Sequence, residues 1–421
     1  MKRYESYKPS GISWIGEIPS HWEVRRNKYL FKEEDEKNLD LSFQLLTFSR
    51  KKGIIPFSDV NEKEPSASDL NNYKVIRQGQ LLENRMQAWS GMFAKSEIDG
   101  CVSPDYSVFS PTSEDVCVDF FAHLFRTNQY IAHWANLSRG VGNGFNRLYT
   151  NQFHSVYALF PPIDEQKKIV EYLSTKTSLI DAQQRERERE LRLLEELKQA
   201  EIANVVTRGL NPNVPMKKAN TLLGKEIPIS WKLVRNRNIL REENTLVGNR
   251  KDLPLLSLTK SGIILRDVES GKGKFPKDFE KYKEVVPGNI VFCLFDIDET
   301  PRTVGLSSHR GMITGAYDVF SINNEIIDSR FLYHYFIAVD NIKALRPFYT
   351  GLRKVVQMAS FLGIQIPIPP IEEQRAIVEY IEQKNNAIDE MIANLKAEID
   401  FLTEYKQRLI ADAVTGQIKI D

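Results

Sequence analysis

Apolar residues are spaced in two different ways along this chain, and the two alternate. In residues 1–160 and 211–368 they form short β-branched and aromatic runs punctuated by Gly, Pro and Asn, such as 43–48, 106–109, 290–295 and 317–322. Runs of this kind predict strands of a mixed sheet, and the longer stretches 120–136 and 329–344 predict helices. The expected fold class is therefore α+β, with a mixed α/β globular domain in each region. In 161–210 and 369–416 the period changes to seven. Ile381, Ile388, Leu395, Leu402 and Leu409 share one helical position, and Ile377, Met391, Ile392, Ile399 and Tyr405 are expected on the same face. The central stretch keeps Leu173, Ile180 and Leu194 in register, helped by Ile169, Leu191 and Leu197.

A heptad seam needs a helical partner. The natural partner for each long helix is the other one, in an antiparallel coiled coil with the domains held apart at opposite ends. Pro161-Pro162 and Pro369-Pro370 stop the preceding strands, and Asp164-Glu165 and Glu372-Glu373 put negative charge in the first helical turn, where the macrodipole favours it. The charged run Arg185 to Glu190 reads as a solvated helix face with i,i+4 pairs.

The alternation is a tandem duplication. Glu17-Ile-Pro-Ser-His-Trp22 recurs as Glu226-Ile-Pro-Ile-Ser-Trp231, an offset of 209. Lys51-Lys52-Gly53-Ile54-Ile55 answers Lys260-Ser261-Gly262-Ile263-Ile264 at the same offset, and Tyr106 to Ser110 answers Tyr317 to Ser321 at 211. Pro161-Pro-Ile-Asp-Glu-Gln-Lys-Lys-Ile-Val-Glu-Tyr172 pairs with Pro369-Pro-Ile-Glu-Glu-Gln-Arg-Ala-Ile-Val-Glu-Tyr380 at 208. The organisation expected from this is a first domain (1–160), a central helix (161–210), a second domain (211–368), a C-terminal helix (369–416) and a short tail (417–421).

Charge changes the picture once it is split by segment. The formal net charge of the 421 residues is only +1. Residues 164–210 carry nine Lys/Arg against ten Asp/Glu, and 372–415 carry five against ten, which leaves +7 on the rest. A basic globular part allows phosphate binding. Cys101, Cys117 and Cys293 have no metal-ligand spacing and read as ordinary reduced residues. No apolar run is long enough to cross a membrane, and residues 1–20 lack the apolar core of a secretory signal, so a cytoplasmic location is expected.

A globular domain closed by Pro-Pro-Ile-acid-Glu-Gln, then Ile-Val-Glu-Tyr and a long helix, all repeated once, resembles the specificity subunit of type I restriction-modification enzymes. Gly16 to Trp22, Val206 to Asn213 and Val414 to Ile420 agree with that pattern. The resemblance implies that each domain is a target recognition domain for one half of a split site in double-stranded DNA. It also implies that the paired helices dock two methyltransferase subunits, with restriction/translocase subunits completing the complex, and that the chain has no active site of its own.

The residues themselves show no catalytic pattern. Phe160-Pro-Pro-Ile163 and Ile368-Pro-Pro-Ile371 lack the polar residue and the aromatic of an adenine methyltransferase motif. Gly140 to Gly144 and Gly271 to Lys274 lack phosphate-loop and dinucleotide-binding spacing. No cofactor and no metal site is expected. A fused nuclease or methyltransferase and a coiled-coil adaptor without a DNA role are the competing readings. The first requires a cofactor loop or a carboxylate cluster, and the second gives the basic domains no purpose.

DNA-contact candidates follow from chemistry, since Arg, Lys, Asn and Gln read base edges and cations hold phosphates. Three regions qualify. The basic turn after an early strand offers Arg50, Lys51 and Lys52, answered by Lys260. The polar loop before the last strand offers Arg139, Asn143, Asn146, Arg147 and Tyr149, answered by Tyr349, Arg353, Lys354 and Gln357. Between them the copies diverge: Glu83 to Trp89, with Asn84, Arg85 and Gln87, stands opposite Phe292 to Asp298, with Arg302 and Arg310 nearby. Trp22 and Trp231, each beside Ile-Pro, read as buried anchors, and His123 and His334 as structural residues.

Overall fold

The computed structural model describes residues 2–50, 52–60, 67–140, 146–248, 253–266, 279–351 and 354–420, except the side chains of 67–69 and Arg139. Two compact units divide the chain, Met1–Arg187 with Ala397–Asp421 and Glu188–Lys396. Each contains one globular domain and one end of each long helix.

The first domain is centred on a four-stranded sheet in the order Phe31–Glu34, Tyr106–Pro111, Leu81–Asn84, Phe93–Lys95. The second repeats it as Leu240–Glu242, Asp318–Ile322, Ile290–Phe292, Val304–Leu306. Among the described residues every paired strand is antiparallel, which corrects the expectation of a mixed sheet. Among the described residues, parallel pairing is limited to the isolated bridges Leu45–Cys101 and Leu255–Met312. The neighbours Leu81–Asn84 and Phe93–Lys95, and their counterparts Ile290–Phe292 and Val304–Leu306, are joined by links shorter than the crossover of about a dozen residues that parallel pairing needs.

Helices cover one face of each sheet. The stretch expected as one helix in the first domain breaks at Arg126-Thr127 into Val118–Phe125 and Asn128–Leu137. Its counterpart is a single helix, Ser329–Asn341, and the Asp328 side chain caps its start by accepting from the amides of Arg330 and Phe331. The first core is an aromatic cluster of Phe31, Phe93, Phe109, Phe125, Trp134 and Phe153, all fully buried or nearly so.

Three locks recur in both copies. Trp22 and Trp231 are completely buried, as the sequence suggested. Removing an indole from water is worth roughly 4–6 kcal/mol at 25 cal/mol per Å² over its 150–250 Å², an upper bound. Asn27 and Asn236, also buried, donate from Nδ2 to the carbonyls of Phe153 (3.0 Å) and Phe361 (2.9 Å). Gln166 and Gln374 fix each long helix to its domain. Gln166 accepts from the Cys117 amide at 2.9 Å and donates to the carbonyls of Asp115 and Pro161. Gln374 accepts from the Asp328 amide at 2.7 Å and donates to the carbonyls of Ile326 and Pro369.

The long helices are Ile163–Arg208 and Ile371–Val414. Within each unit they run antiparallel. In the first unit Asp181 pairs with Lys406 (2.6 Å), the Gln184 amide donates to the Thr403 hydroxyl (2.7 Å), and Arg187 meets Glu398 (3.0 Å). In the second unit Lys198 pairs with Asp389 (2.6 Å) and the Tyr380 hydroxyl donates to Glu201 (3.2 Å). Asp181 and Asp389 are equivalent positions of the repeat, as are Lys198 and Lys406, so each unit forms the same ion pair with the two helices exchanging roles.

Ile381, Ile388, Leu395 and Leu409 are buried as expected, but Met391, Tyr405 and Leu197 are 53%, 39% and 47% exposed. They precede Ile392, Lys406 and Lys198, which take the inward-facing heptad position, so these three only flank the seam. Both helices end at a left-handed glycine, Gly209 (φ 75°) and Gly416 (φ 73°). A Cβ there would come within 2.6 Å of Glu373 and 2.5 Å of Pro19 respectively, so no other residue fits without displacing the neighbour.

Candidate nucleic-acid interface

In the first domain the loop 85–92 joins two neighbouring strands of the sheet, and its local bonds dictate its shape. Asn84 is buried and turns the chain, its side-chain oxygen accepting from the Met86 amide at 3.1 Å. Ala88 is buried beneath a short 3₁₀ turn, and Gly91 closes it with a positive φ of 79°. The other two candidate regions converge here. From the basic turn, the Arg50 guanidinium donates to the Ser90 carbonyl at 2.9 Å. From the polar loop, the Leu148 amide donates to the Arg85 carbonyl at 3.0 Å. Arg147 lies on the Met86 sulfur (2.9 Å) and pairs with Asp105 (3.0 Å). Arg85 donates to the carbonyls of Pro104 and Asp105. Gln87, Lys52, Asn146 and Tyr149 are exposed around this loop or on the elements that meet it.

The second domain builds the equivalent place from the same backbone bond. The Val356 amide donates to the Leu294 carbonyl at 2.8 Å, the counterpart of Leu148 and Arg85. The connecting loop, 293–303, is longer and acidic, with Asp296 in a left-handed conformation (φ 44°). Asp298 is held by an ion pair to Arg346, by Lys354 at 3.8 Å, and by its own amide donating to the Tyr349 hydroxyl at 3.2 Å. Gln357 donates to the Thr350 hydroxyl (3.0 Å), and Lys260 is exposed on its hairpin turn.

Two candidates are taken up inside the domain. Arg302 lies in a cluster with Asp340 (2.9 Å) that Lys343 joins at 2.8 Å, and Asp340 is only 3% exposed. Asn84 is buried in its turn, as described above. Arg310 is outward-facing and pairs with Glu284 (2.9 Å). Lys51, Asn143 and Arg353 lie outside the described residues, as does the side chain of Arg139.

Sequence reasoning missed Arg126. It sits at the break between the two helices, and its Cα lies 3.5 Å from where a Cβ on Gly91 would be. Burial, and then the charge of Arg50, hold its guanidinium below the ordinary arginine range. No acid pairs with it among the described residues. Arg126 lies in no segment that repeats, so the search for self-similarity had no signal for it.

Behind the loops, one cross-strand pair carries a carboxyl in both domains, fully buried in the first and half-buried in the second, on opposite strands. In the first domain Glu83 faces Ser107, and in the second Asp318 faces Phe292. Burial pushes Glu83 well above the usual carboxylate range. Asp318 is also raised by burial, against the opposing pull of Lys283 at 3.7 Å. His123 and His334 are pushed down to about 4, first by burial, which keeps both neutral at physiological pH. Among the described residues no group of His, Cys, Asp and Glu could hold a metal ion, and no helix is long and apolar enough to cross a membrane.

Residues 312–400 match the family described as type I restriction modification DNA specificity domain. The chain is similar to the type I restriction enzyme MjaVIII specificity subunit of Methanocaldococcus jannaschii, with 23% identity over 310 residues, covering 67% of each. It is also similar to the putative type I restriction enzyme MjaX specificity subunit of that organism, with 22% identity over 435 residues and 96% of each covered. Among solved structures, a chain described under "Structural basis underlying complex assembly and conformational transition of the type I R-M system" superposes with a TM-score of 0.70 at 16% identity. That match covers 95% of this chain and 99% of the other. The HsdS subunit from Thermoanaerobacter tengcongensis gives 0.54 at 18% identity, over 95% and 98%.

Proposed function

We propose that this chain is a type I restriction-modification specificity subunit and reads a two-part DNA site with one domain per half. It carries no catalytic step. Base and phosphate contacts come from the loops that meet at 85–92 in the first domain and 293–303 in the second. The paired helices scaffold two methyltransferase subunits, and restriction/translocase subunits join the full complex. The observation that carries this reading is the duplicated domain with a shared backbone frame and divergent side chains at one loop. Reading two different half-sites needs that combination, since positioning contacts are common to both and base contacts are not.

Methylation mapping of cells carrying the complete system tests the proposal. Replacing residues 211–368 by the same region of a related chain changes one half of the methylated motif and leaves the other half intact. A change in both halves rules out independent reading.

A further inference from the structure

The loop 85–92 presents an aromatic ring that the arginines and amides around it do not explain. Trp89 is 44% exposed, although most indoles on a domain this size are covered. It is also rigid. Its Nε1 donates to the Met86 carbonyl at 2.9 Å, Ala88 beneath it is fully buried, and Arg50 clasps the Ser90 carbonyl beside it. With its only hydrogen-bond donor engaged, the ring meets a partner through its electron-rich face, on which a methyl group can rest. Arg50 and Arg126 flank the turn with positive charge, which favours a polyanion there. Of the groups DNA displays in its major groove, only the thymine 5-methyl is apolar.

We propose that Trp89 is a specificity-determining residue, its indole resting on a thymine 5-methyl group in the half-site read by the first domain. This rests on the reading of the chain as a DNA specificity subunit. Loop 293–303 has no aromatic after Phe295 and carries Asp296, Asp298 and Glu299 instead, so the contact belongs to one half-site only.

The test uses the assembled methyltransferase complex and duplexes of its mapped site, in which each thymine of the first half-site is replaced in turn by deoxyuridine. That replacement removes the methyl group alone. One replacement weakens binding by the wild type about tenfold. Trp89→Ala binds thymine and deoxyuridine alike at that position, Trp89→Phe keeps part of the difference, and discrimination in the other half-site is unchanged. The inference is overturned if deoxyuridine is neutral at every position in the wild type, a result that needs no variant to fold. It is also overturned if Trp89→Ala weakens all sequences equally or retains the wild-type preference. A wild-type complex that does not distinguish its mapped site from unrelated DNA instead removes the specificity reading itself.

Discussion

Loop 85–92 of the first domain is short, carries an exposed aromatic and is ringed by arginines, whereas loop 293–303 of the second is longer, acidic and tied down by Arg346 and Lys354. Beneath both, the same amide-to-carbonyl bond joins the polar loop to the sheet, Leu148 to Arg85 and Val356 to Leu294. That bond involves no side chain, so substitutions at the tip leave it intact. The retained side chains all point into the protein: Gln166 and Gln374, with Asn27 and Asn236, bond buried backbone groups, and Trp22 and Trp231 fill the core. After duplication, a frame held by main chain and buried polar locks leaves the outward-facing residues free to diverge into a second reader.

The largest asymmetry to test is the Arg302–Asp340–Lys343 cluster of the second domain, since in the first domain the uncharged Gly91 stands at the strand-register place of Arg302. Asp340→Ala strands two half-buried cations and costs about 3–5 kcal/mol. Hydrogen exchange shows the loss of protection in the second unit, with the first unaffected. Gln166→Ala and Gln374→Ala come next. Each leaves a buried amide unbonded, at roughly 1–3 kcal/mol, and denaturant melts give similar losses for the two. A large loss in only one of them breaks the equivalence of the copies.

The smallest effect concerns pH. Glu83 is raised, so the folded first domain holds a proton that the unfolded chain releases. Stability from this group is present below the ordinary carboxylate pKa and declines as pH rises through the folded value. Glu83→Gln therefore flattens the pH dependence of the first domain and stabilises it above neutrality. Urea melts at pH 5 and pH 8 report it, and an unchanged slope contradicts the assignment.

Much of this was legible in the sequence because duplication prints every structural position twice. The strands follow from β-branched and aromatic runs, the helix starts from Pro-Pro and an acidic first turn, and the buried tryptophans from a repeated Ile-Pro motif. The Gln in Pro-Pro-Ile-acid-Glu-Gln was visible as a repeated letter, but two of its three hydrogen bonds reach an amide and a carbonyl 46–51 residues away, a pairing that no local pattern encodes. Met391, Tyr405 and Leu197 were placed on the seam because periodicity alone does not separate an inward position from the one before it. Asn84 and Arg302 have the side-chain types that read bases, and only burial shows them serving their own domain. Arg126 has no repeat partner at all.

The two units differ in how the chain closes them. The second is one continuous stretch, Glu188–Lys396, while the first joins Met1–Arg187 to Ala397–Asp421. Near its edge the Lys419 amide donates to the Lys2 carbonyl (2.9 Å) and the Tyr7 hydroxyl to the Gly416 carbonyl (3.0 Å). During synthesis the second unit has every residue it needs before the first does. The first must wait with Ile169, Leu173 and Ile180 uncovered until Leu409 and Ala413 arrive. The thermodynamic penalty is slight, because doubling a loop costs only about 0.6 kcal/mol. The kinetic consequence is larger. At roughly 5–20 residues per second, that helix face stays uncovered for about ten seconds or more after the last strand of its domain has been made, while the unit made second already has its whole chain.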